Sequence, residues 1–145
     1  MSKSNAWETA LLNLVFNNTD AANIGDATGL QGSSTAGSLY VSLHTSDPGE
    51  AGSPSTNECA YTSYARVGVA RSGAGWTISG NAVTNAALIQ FPQCTGGSET
   101  ATHFGIGTAS SGGTLLYKGA LSASLAISSG IQPQFGAGDL DGTED

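Results

Sequence analysis

Hydrophobic residues follow a helical spacing only near the beginning of the chain. The apolar positions recur at intervals of three and four residues, as Trp7, Leu11, Leu14, Val15 and Phe16. Asn5 followed by Glu8 resembles a capping box, which is typical of the start of a helix. The pattern predicts one short amphipathic helix over residues 6–16.

The segment 17–38 has no apolar period. Its sequence, NNTDAANIGDATGLQGSSTAGS, is rich in Asn, Asp, Gly, Ser and Thr, which favours a loop. A loop of about twenty residues inside a compact domain usually has a functional or contact role. We expect this loop to lie against a neighbouring subunit.

From residue 39 onwards the hydrophobic period changes to two. In SLYVSLH the apolar Leu39, Val41 and Leu43 alternate with polar residues, which predicts a half-buried strand with His44 on its solvated outer face. Similar segments follow as YTSYARVGVARS, GWTISG, AALIQFP, ATHFGIGT, TLLYKGAL and SLAISSG. Turn signals such as Asp47-Pro48-Gly49 and Gly80-Asn81 separate them. The pattern predicts an all-β fold, a β-sandwich or jelly roll of short antiparallel strands over residues 39–138, with the helix as an appendage.

Length and charge limit the possible partners. A chain of 145 residues predicts a single domain over residues 1–145, and the acidic end, 139–145, predicts a tail that is solvated or bound to a partner. The net charge is −7 with only four Lys and Arg, so a nucleic acid partner is not expected. No apolar run approaches the ~20 residues of a membrane span or forms a secretory signal, which predicts synthesis in the cytoplasm and no membrane partner.

The two cysteines, Cys59 and Cys94, show no C-x-x-C spacing, so neither a zinc site nor a redox motif is indicated. Free thiols are expected in a reducing cytosol. The aromatic residues Trp76, Phe91, Phe104, Phe135, Tyr61, Tyr64 and Tyr117 fall in or beside strands. Packing in the core explains them better than a sugar-binding platform does.

Three kinds of catalytic or metal site are not supported by the spacing. A Ser/His/Asp triad could draw on His44, His103 and Asp47, but no nucleophile elbow is present. The acids Asp139, Asp141 and Glu144 do not follow the spacing of a calcium loop, and nothing pairs the carboxylates of Glu50, Glu58 and Glu99 as a glycosidase requires. The segment GIGTASSGG lacks the lysine of a phosphate-binding loop. We therefore predict no catalytic, cofactor-binding or metal-ligating residue, and no cofactor.

Several motifs together resemble a known family. WETALLNLVFNNT, LHTSDPGEAG, YARV and THFGIGTASSG followed by LLYKGAL occur in this order along the chain. In this respect the sequence resembles a family of small virion structural proteins of tailed bacteriophages, whose members are labelled as tail-fibre, head-fibre or capsid decoration (cement) proteins.

The resemblance implies a non-enzymatic structural protein of the virion. The favoured hypothesis is a cement protein that binds the outside of the capsid shell and stabilises it, since one short helix without a coiled coil or long repeat makes a poor fibre shaft. Its expected partners are the major capsid protein of the same virion and copies of itself. The residues expected at intersubunit contacts are Trp7, Leu11, Asn18, Leu30, Asp139 and Asp141.

Two other hypotheses remain open. A tail-fibre or baseplate module could recognise a host surface glycan, and loss of adsorption on replacing Trp76 would favour it. An enzyme acting on the host envelope is the third hypothesis, and it would need hydrolysis that depends on His44 or His103.

Overall fold

The computed structural model describes residues 1–144 and contains one helix and nine strands. The helix is α1 (Asn5–Asn17). The strands are β1 (Ser38–His44), β2 (Val67–Ala70), β3 (Trp76–Ser79), β4 (Ala82–Asn85), β5 (Ile89–Gln90), β6 (Ser98–Gly107), β7 (Leu115–Ser128), β8 (Gln134–Phe135) and β9 (Asp141–Thr143). The protein consists mostly of strands in antiparallel sheets with one short N-terminal helix, so the predicted fold class is confirmed at this level.

The helix α1 matches the prediction to within one residue at each end. Its first turn is capped by Ser4, whose hydroxyl accepts a hydrogen bond from the Trp7 N–H at 3.4 Å, and not by the predicted Asn5. Its last turn ends at Asn18, which adopts the left-handed conformation with φ 54°. The apolar spacing buries Leu12 and Phe16, and each fully buried side chain of this size stabilises the fold by about 2 kcal/mol.

Contacts within the chain divide it into two compact units, each made of discontinuous segments. The first unit contains α1, the loop 17–38 and the sheet with strand order β3-β4-β9. Phe16 of α1 meets Trp76 of β3 edge-to-face at 4.8 Å between ring centroids. Val83 of β4 and Leu140 are also buried in this unit.

The acidic end of the chain, which the sequence predicted to be solvated or bound to a partner, forms a strand on β4 of its own chain and leaves Asp139 and Asp141 exposed. Strand β9 pairs antiparallel with β4, from Ala82 opposite Thr143 to Thr84 opposite Asp141. The short alternation of Leu140 between acids was too weak a signal to predict this strand. Asp145 lies outside the described residues.

Asn85, at the end of β4, holds the chain that leads into β9. Its side-chain N–H groups donate to the carbonyls of Ala87 at 2.8 Å and Gly136 at 2.7 Å, and its oxygen accepts from the Leu140 N–H at 3.0 Å. The Asn85 side chain is almost completely buried. These side-chain bonds add to the backbone hydrogen bonds that Asn85 makes with Gly138 at 2.9 Å and Leu140 at 3.1 Å.

Replacing Asn85 by Ala should reduce the free energy of unfolding by about 3 kcal/mol, because the partners would remain buried without a hydrogen bond. Urea denaturation followed by tryptophan fluorescence measures the loss, since Trp76 lies in the same unit. Asn5→Ala on the exposed first turn of α1 is the matched control. Equal stabilities of the two variants would contradict this role for Asn85.

The second unit is built on the sheet with strand order β2-β1-β6-β7. The predicted strand 38–44 is confirmed as β1, which pairs antiparallel with β6 from Tyr40 opposite Gly107 to His44 opposite His103. The alternation of apolar residues places one side of this sheet in a core. The buried apolar residues of the unit are Leu39, Val41, Leu43, Cys59, Tyr61, Val69, Ile89, Phe91, Cys94, Ala101, Ile106 and Ile127.

Strand β7 combines two segments that the sequence predicted as separate strands. It runs for 14 residues without a turn and pairs antiparallel with β6. The register passes from Ala101 opposite Leu125 to His103 opposite Ala120, so residues 121–124 form a bulge. The bulge contains no Gly or Pro, which explains why the chain continues instead of turning back.

The arrangement of the strands as a sandwich or jelly roll, and the joining of both units into one domain over residues 1–145, stay predictions. Within residues 1–144, no helix has the length and apolar character needed to cross a bilayer.

Candidate functional site

A serine and a histidine of β1 form a fully buried pair. His44 Nε2 lies 2.8 Å from Ser42 Oγ, and His44 Nδ1 lies 2.8 Å from the Thr56 carbonyl oxygen. Both side chains have no exposed surface. The prediction that His44 lies on a solvated face is therefore wrong, because the segment after β1 returns across this face of the sheet and covers it with Thr56 and Pro54.

The surroundings of the pair leave no room for a substrate. Gly105 lies opposite Ser42 on β6, and a Cβ at this position would come within 2.7 Å of His44 Nε2 and 2.8 Å of Ser42 Oγ. The Ser42 hydroxyl also lies 3.3 Å from the Gly105 carbonyl oxygen. Asp47 does not complete a triad, since its carboxylate accepts from the Gly49 N–H at 2.8 Å. The pair fastens a loop to the sheet.

Burial lowers the pKa of His44 below 6.5, although the nearby Glu58 carboxylate acts in the opposite direction. In the unfolded chain His44 takes up a proton near pH 6.5, whereas in the folded chain it does so only at a lower pH. His44 therefore favours the folded state fully above pH 6.5, and this contribution is lost as the pH falls below that value. We expect the free energy of unfolding to fall by up to about 1.4 kcal/mol per pH unit there.

Urea denaturation of the wild type and His44→Gln between about pH 5 and pH 8 tests this expectation. The variant should lose part of the acid-dependent slope, whereas His103→Gln is the control with the second histidine removed. An unchanged slope in His44→Gln would assign the acid sensitivity to other groups.

Arg66 is the centre of a hydrogen-bond network in the second unit. Its guanidinium binds both carboxylate oxygens of Glu58, from Nε at 2.7 Å and from Nη2 at 2.8 Å. The remaining donors reach Ser55 Oγ at 3.0 Å and the carbonyls of Ala109 at 2.9 Å and Gly112 at 2.8 Å. All five N–H groups of the guanidinium are thus used within the chain.

Tyr64 completes the network on the other side of Glu58. Its hydroxyl donates to Glu58 Oε1 at 3.0 Å and accepts from the Leu43 N–H at 3.0 Å. Burial raises the pKa of Tyr64 above its usual range, so the hydroxyl stays protonated and can donate. The network joins the end of β1, the segment around Glu58 and the turn after β6.

Arg66→Lys should lower the free energy of unfolding by about 2 kcal/mol or more, because one ammonium cannot replace five donors in a planar fork. Thermal and urea denaturation measure the loss. Lys118→Met, which breaks a more exposed ion pair in the same unit, is the control and should have a much smaller effect. A loss no greater than that of the control would show that the network is dispensable.

An open pocket of about 480 Å³ lies beside this network. Its lining includes the hydroxyls of Ser55, Ser63, Ser110 and Ser111 together with Tyr61, Tyr64 and the Arg66–Glu58 pair. Neither tyrosine offers a free flat platform. Tyr61 is almost completely buried, and Tyr64 stacks on Phe91 at 6.3 Å and meets Tyr61 edge-to-face at 5.2 Å between ring centroids. The pocket therefore presents small polar groups instead of a stacking surface.

The loop after β1 is fixed to β7 by charge. Lys118 Nζ lies 3.1 Å from Asp47 Oδ1 and 3.0 Å from Glu50 Oε1. The Gly49 N–H and then Lys118 lower the pKa of Asp47, while Glu50 and then Asp47 raise that of Lys118. In LHTSDPGEAGS, Asp47 and Glu50 thus share one cation, whereas His44 binds Ser42 and Thr56, so the three residues do not form one reactive cluster.

The loop 17–38 is also held internally. Asn18 donates to the Ser33 carbonyl at 2.8 Å and accepts from the Ser33 N–H at 2.7 Å. Arg71 donates to the carbonyls of Leu14 and Val15, both at 2.7 Å, and to that of Ala36 at 3.1 Å. Arg71 therefore caps the last turn of α1 and fastens the end of the loop at the same time.

The predicted contact residues occupy different environments. Trp7 and Leu11 are half-buried on α1, and the amide of Asn18 is used within the loop. The remaining three, Leu30, Asp139 and Asp141, are exposed, and Asp139 also accepts from the Gly136 N–H at 2.8 Å. Leu30 is 43% exposed and Ile24 on the same loop is 41% exposed. Their part in intersubunit contacts stays a prediction.

The acids considered for catalysis or metal binding are dispersed. Glu99 accepts hydrogen bonds from the N–H groups of Ala60 and Tyr61, whereas Glu58 and Glu50 bind different cations. Glu144 pairs with Lys3 at 3.0 Å. Among residues 1–144, no group of three or more His, Cys, Asp or Glu side chains is placed to hold a metal ion.

The buried cysteines and aromatics belong to the interior. Cys59 and Cys94 are free thiols, and burial raises the pKa of Cys59 to about 12. The predicted core packing is confirmed for Trp76, Phe91 and Tyr61, which are almost completely buried. Trp76 is consequently not available to stack on a sugar.

Sequence reasoning missed the roles of Arg66, Arg71 and Asn85. A signal was present for the arginines, because a chain with so few cations and seven excess acids tends to pair each cation internally. For Asn85 no local signal exists, since all but one of its partners lie more than 50 residues away.

These features define a β-rich structural protein whose polar clusters fasten loops to sheets. The family comparison agrees with this class. A family model described as "Podophage GP4 fiber I protein gp80" matches residues 2–143, and the chain belongs to this family of phage virion structural, head-fibre proteins. The suspected resemblance to virion structural proteins is therefore confirmed. No curated protein matches the chain significantly.

Proposed function

We propose that the protein is a non-enzymatic structural subunit on the outer surface of the phage head, which binds the major capsid protein and stabilises the shell. The observation that carries the proposal is the match of residues 2–143 to a family of virion fibre proteins. The burial of the Ser42–His44 pair supports a structural role, because a nucleophile without solvent access cannot meet a substrate.

The distribution of charge supports a position outside the shell. The four cations are Lys3, Arg66, Arg71 and Lys118, and each is engaged with acids or carbonyls of the same chain. The outward field is then set by the excess of acids that gives the net charge of −7. Such a surface repels packaged DNA and is suited to the exterior.

The loop 17–38 is the best candidate for the capsid contact. It carries two large apolar side chains, Ile24 and Leu30, that are each more than 40% exposed. Hydrogen bonds of Asn18 and Arg71 hold the loop in shape before binding, which reduces the entropy lost on association. The half-buried Trp7 and Leu11 and the exposed Asp139 and Asp141 are further candidates.

A fibre module that binds a host glycan is the second candidate function. The pocket beside Arg66 favours it, since four serine hydroxyls can exchange hydrogen bonds with a sugar. The saturated guanidinium and the buried Trp76 favour the first proposal, because Arg66 has no free donor to offer a ligand and Trp76 has no exposed ring.

Immunogold labelling of intact virions with an antibody against this chain tests the proposal. We expect labels distributed over the head. Labels confined to the tail would overturn attachment to the capsid and favour the glycan-binding module, for which Ser110→Trp should then reduce adsorption to host cells by blocking the pocket.

Virions complemented with Leu30→Asp provide the test at residue level. A charge at an apolar contact should reduce the amount of the chain on purified particles, because the carboxylate would be desolvated on binding. Leu88→Asp is the matched control at another exposed leucine. Equal incorporation of the two variants would place the capsid contact elsewhere.

A further inference from the structure

The middle of β7 has the same sequence in both directions. Residues 120–126 read ALSASLA, with Ala123 at the centre. In an antiparallel pair of two such segments centred on Ala123, every residue lies opposite a residue of its own type. The leucines face leucines and the serines face serines, which matches size and polarity across the pair.

The position of this segment in the sheet leaves it open to a partner strand. Within residues 1–144, β7 is an edge strand of its sheet, and the bulge removes residues 121–124 from residue-by-residue register with β6. Exposure is symmetric about Ala123, which is exposed together with both of its neighbours. Ala120, Ser122, Ser124 and Ala126 are exposed, whereas Leu121 and Leu125 are half-buried.

The segment lacks the side chains that usually protect an edge strand, although its bulge is itself a device that limits pairing at an edge. Proteins commonly block exposed edges with Lys or Pro. Residues 119–128 contain neither, and no charged side chain of any kind. The nearest charge, Lys118, is bound to Asp47 and Glu50 of its own chain. In a chain with a net charge of −7, two copies can approach here without like charges opposite each other.

We propose that residues 120–126 pair antiparallel with the same segment of a second copy of the chain, around a two-fold axis at Ala123. Leu121 then lies opposite Leu125 of the second copy, and Ser122 opposite Ser124. The contact is isologous, so it closes at two copies and adds one sheet to the other. This extends the proposed function, because it names a surface through which copies associate, and it does not require binding to the capsid.

Cysteine cross-linking of the purified protein tests the register. Ala123→Cys should form a disulfide-linked dimer under mild oxidation, because directly opposed residues have Cα atoms about 4.5–5.5 Å apart, within the span of a disulfide. Ala120→Cys and Ala126→Cys should not cross-link alone, since two copies of either position lie about 20 Å apart. A mixture of these two variants should form the heterodimer. The native thiols are buried and unreactive.

Other patterns overturn the proposal. Absence of a cross-link for Ala123→Cys, in a variant with wild-type unfolding behaviour, excludes the pairing, as does equal cross-linking by Ala120→Cys alone. Two results together would assign this edge to the capsid protein instead. The wild type would sediment as a monomer at all concentrations, and residues 120–126 would be protected from amide exchange only in the virion. Because dimerisation is measured without virions, its failure and the failure of head labelling are separate results.

Discussion

The contact between Arg66 and Glu58 determines the arrangement of the second unit. The guanidinium has five donors and uses all of them, on a carboxylate, a hydroxyl and two backbone carbonyls. An arginine buried in this way must be matched completely, because a lone buried charge costs several kcal/mol. Three loops therefore have to meet at one point. With Glu58 in place, the adjoining backbone closes over His44 and converts the open face of β1 into interior.

Charged residues are scarce throughout this protein. Charged residues make up only 10% of the chain, and each cation serves a defined contact within it. Elsewhere the loops are fastened by neutral groups such as Asn18 and Asn85, whose amides both donate and accept. A surface assembled in this way has few long side chains to immobilise on association. That property suits a protein proposed to act through contacts with other subunits.

Much of the fold could be predicted from local patterns. The predicted helix and the predicted strand 38–44 agree with α1 and β1, because hydrophobic periodicity and helix capping depend on residues only a few positions apart. Strand β9 and the burial of His44 could not be predicted, since both depend on segments that return from elsewhere in the chain. Alternation assigns a residue to a face, but it does not tell whether that face is covered. The candidate site was the hardest part to predict, because the hydrogen-bond partners of Arg66 lie between 8 and 46 positions away in the sequence.

The discontinuous composition of the first unit has a consequence for folding. Its helix has 13 residues, a length at which an isolated helix is marginal in water. The carbonyls at its end are capped by Arg71, and β4 receives its last partner strand only from residues 141–143. This unit is therefore complete only when segments from residues 1–38, 70–88 and 135–144 have come together. Contacts between segments so far apart in sequence slow folding, because the chain between them must close into a loop before they can form.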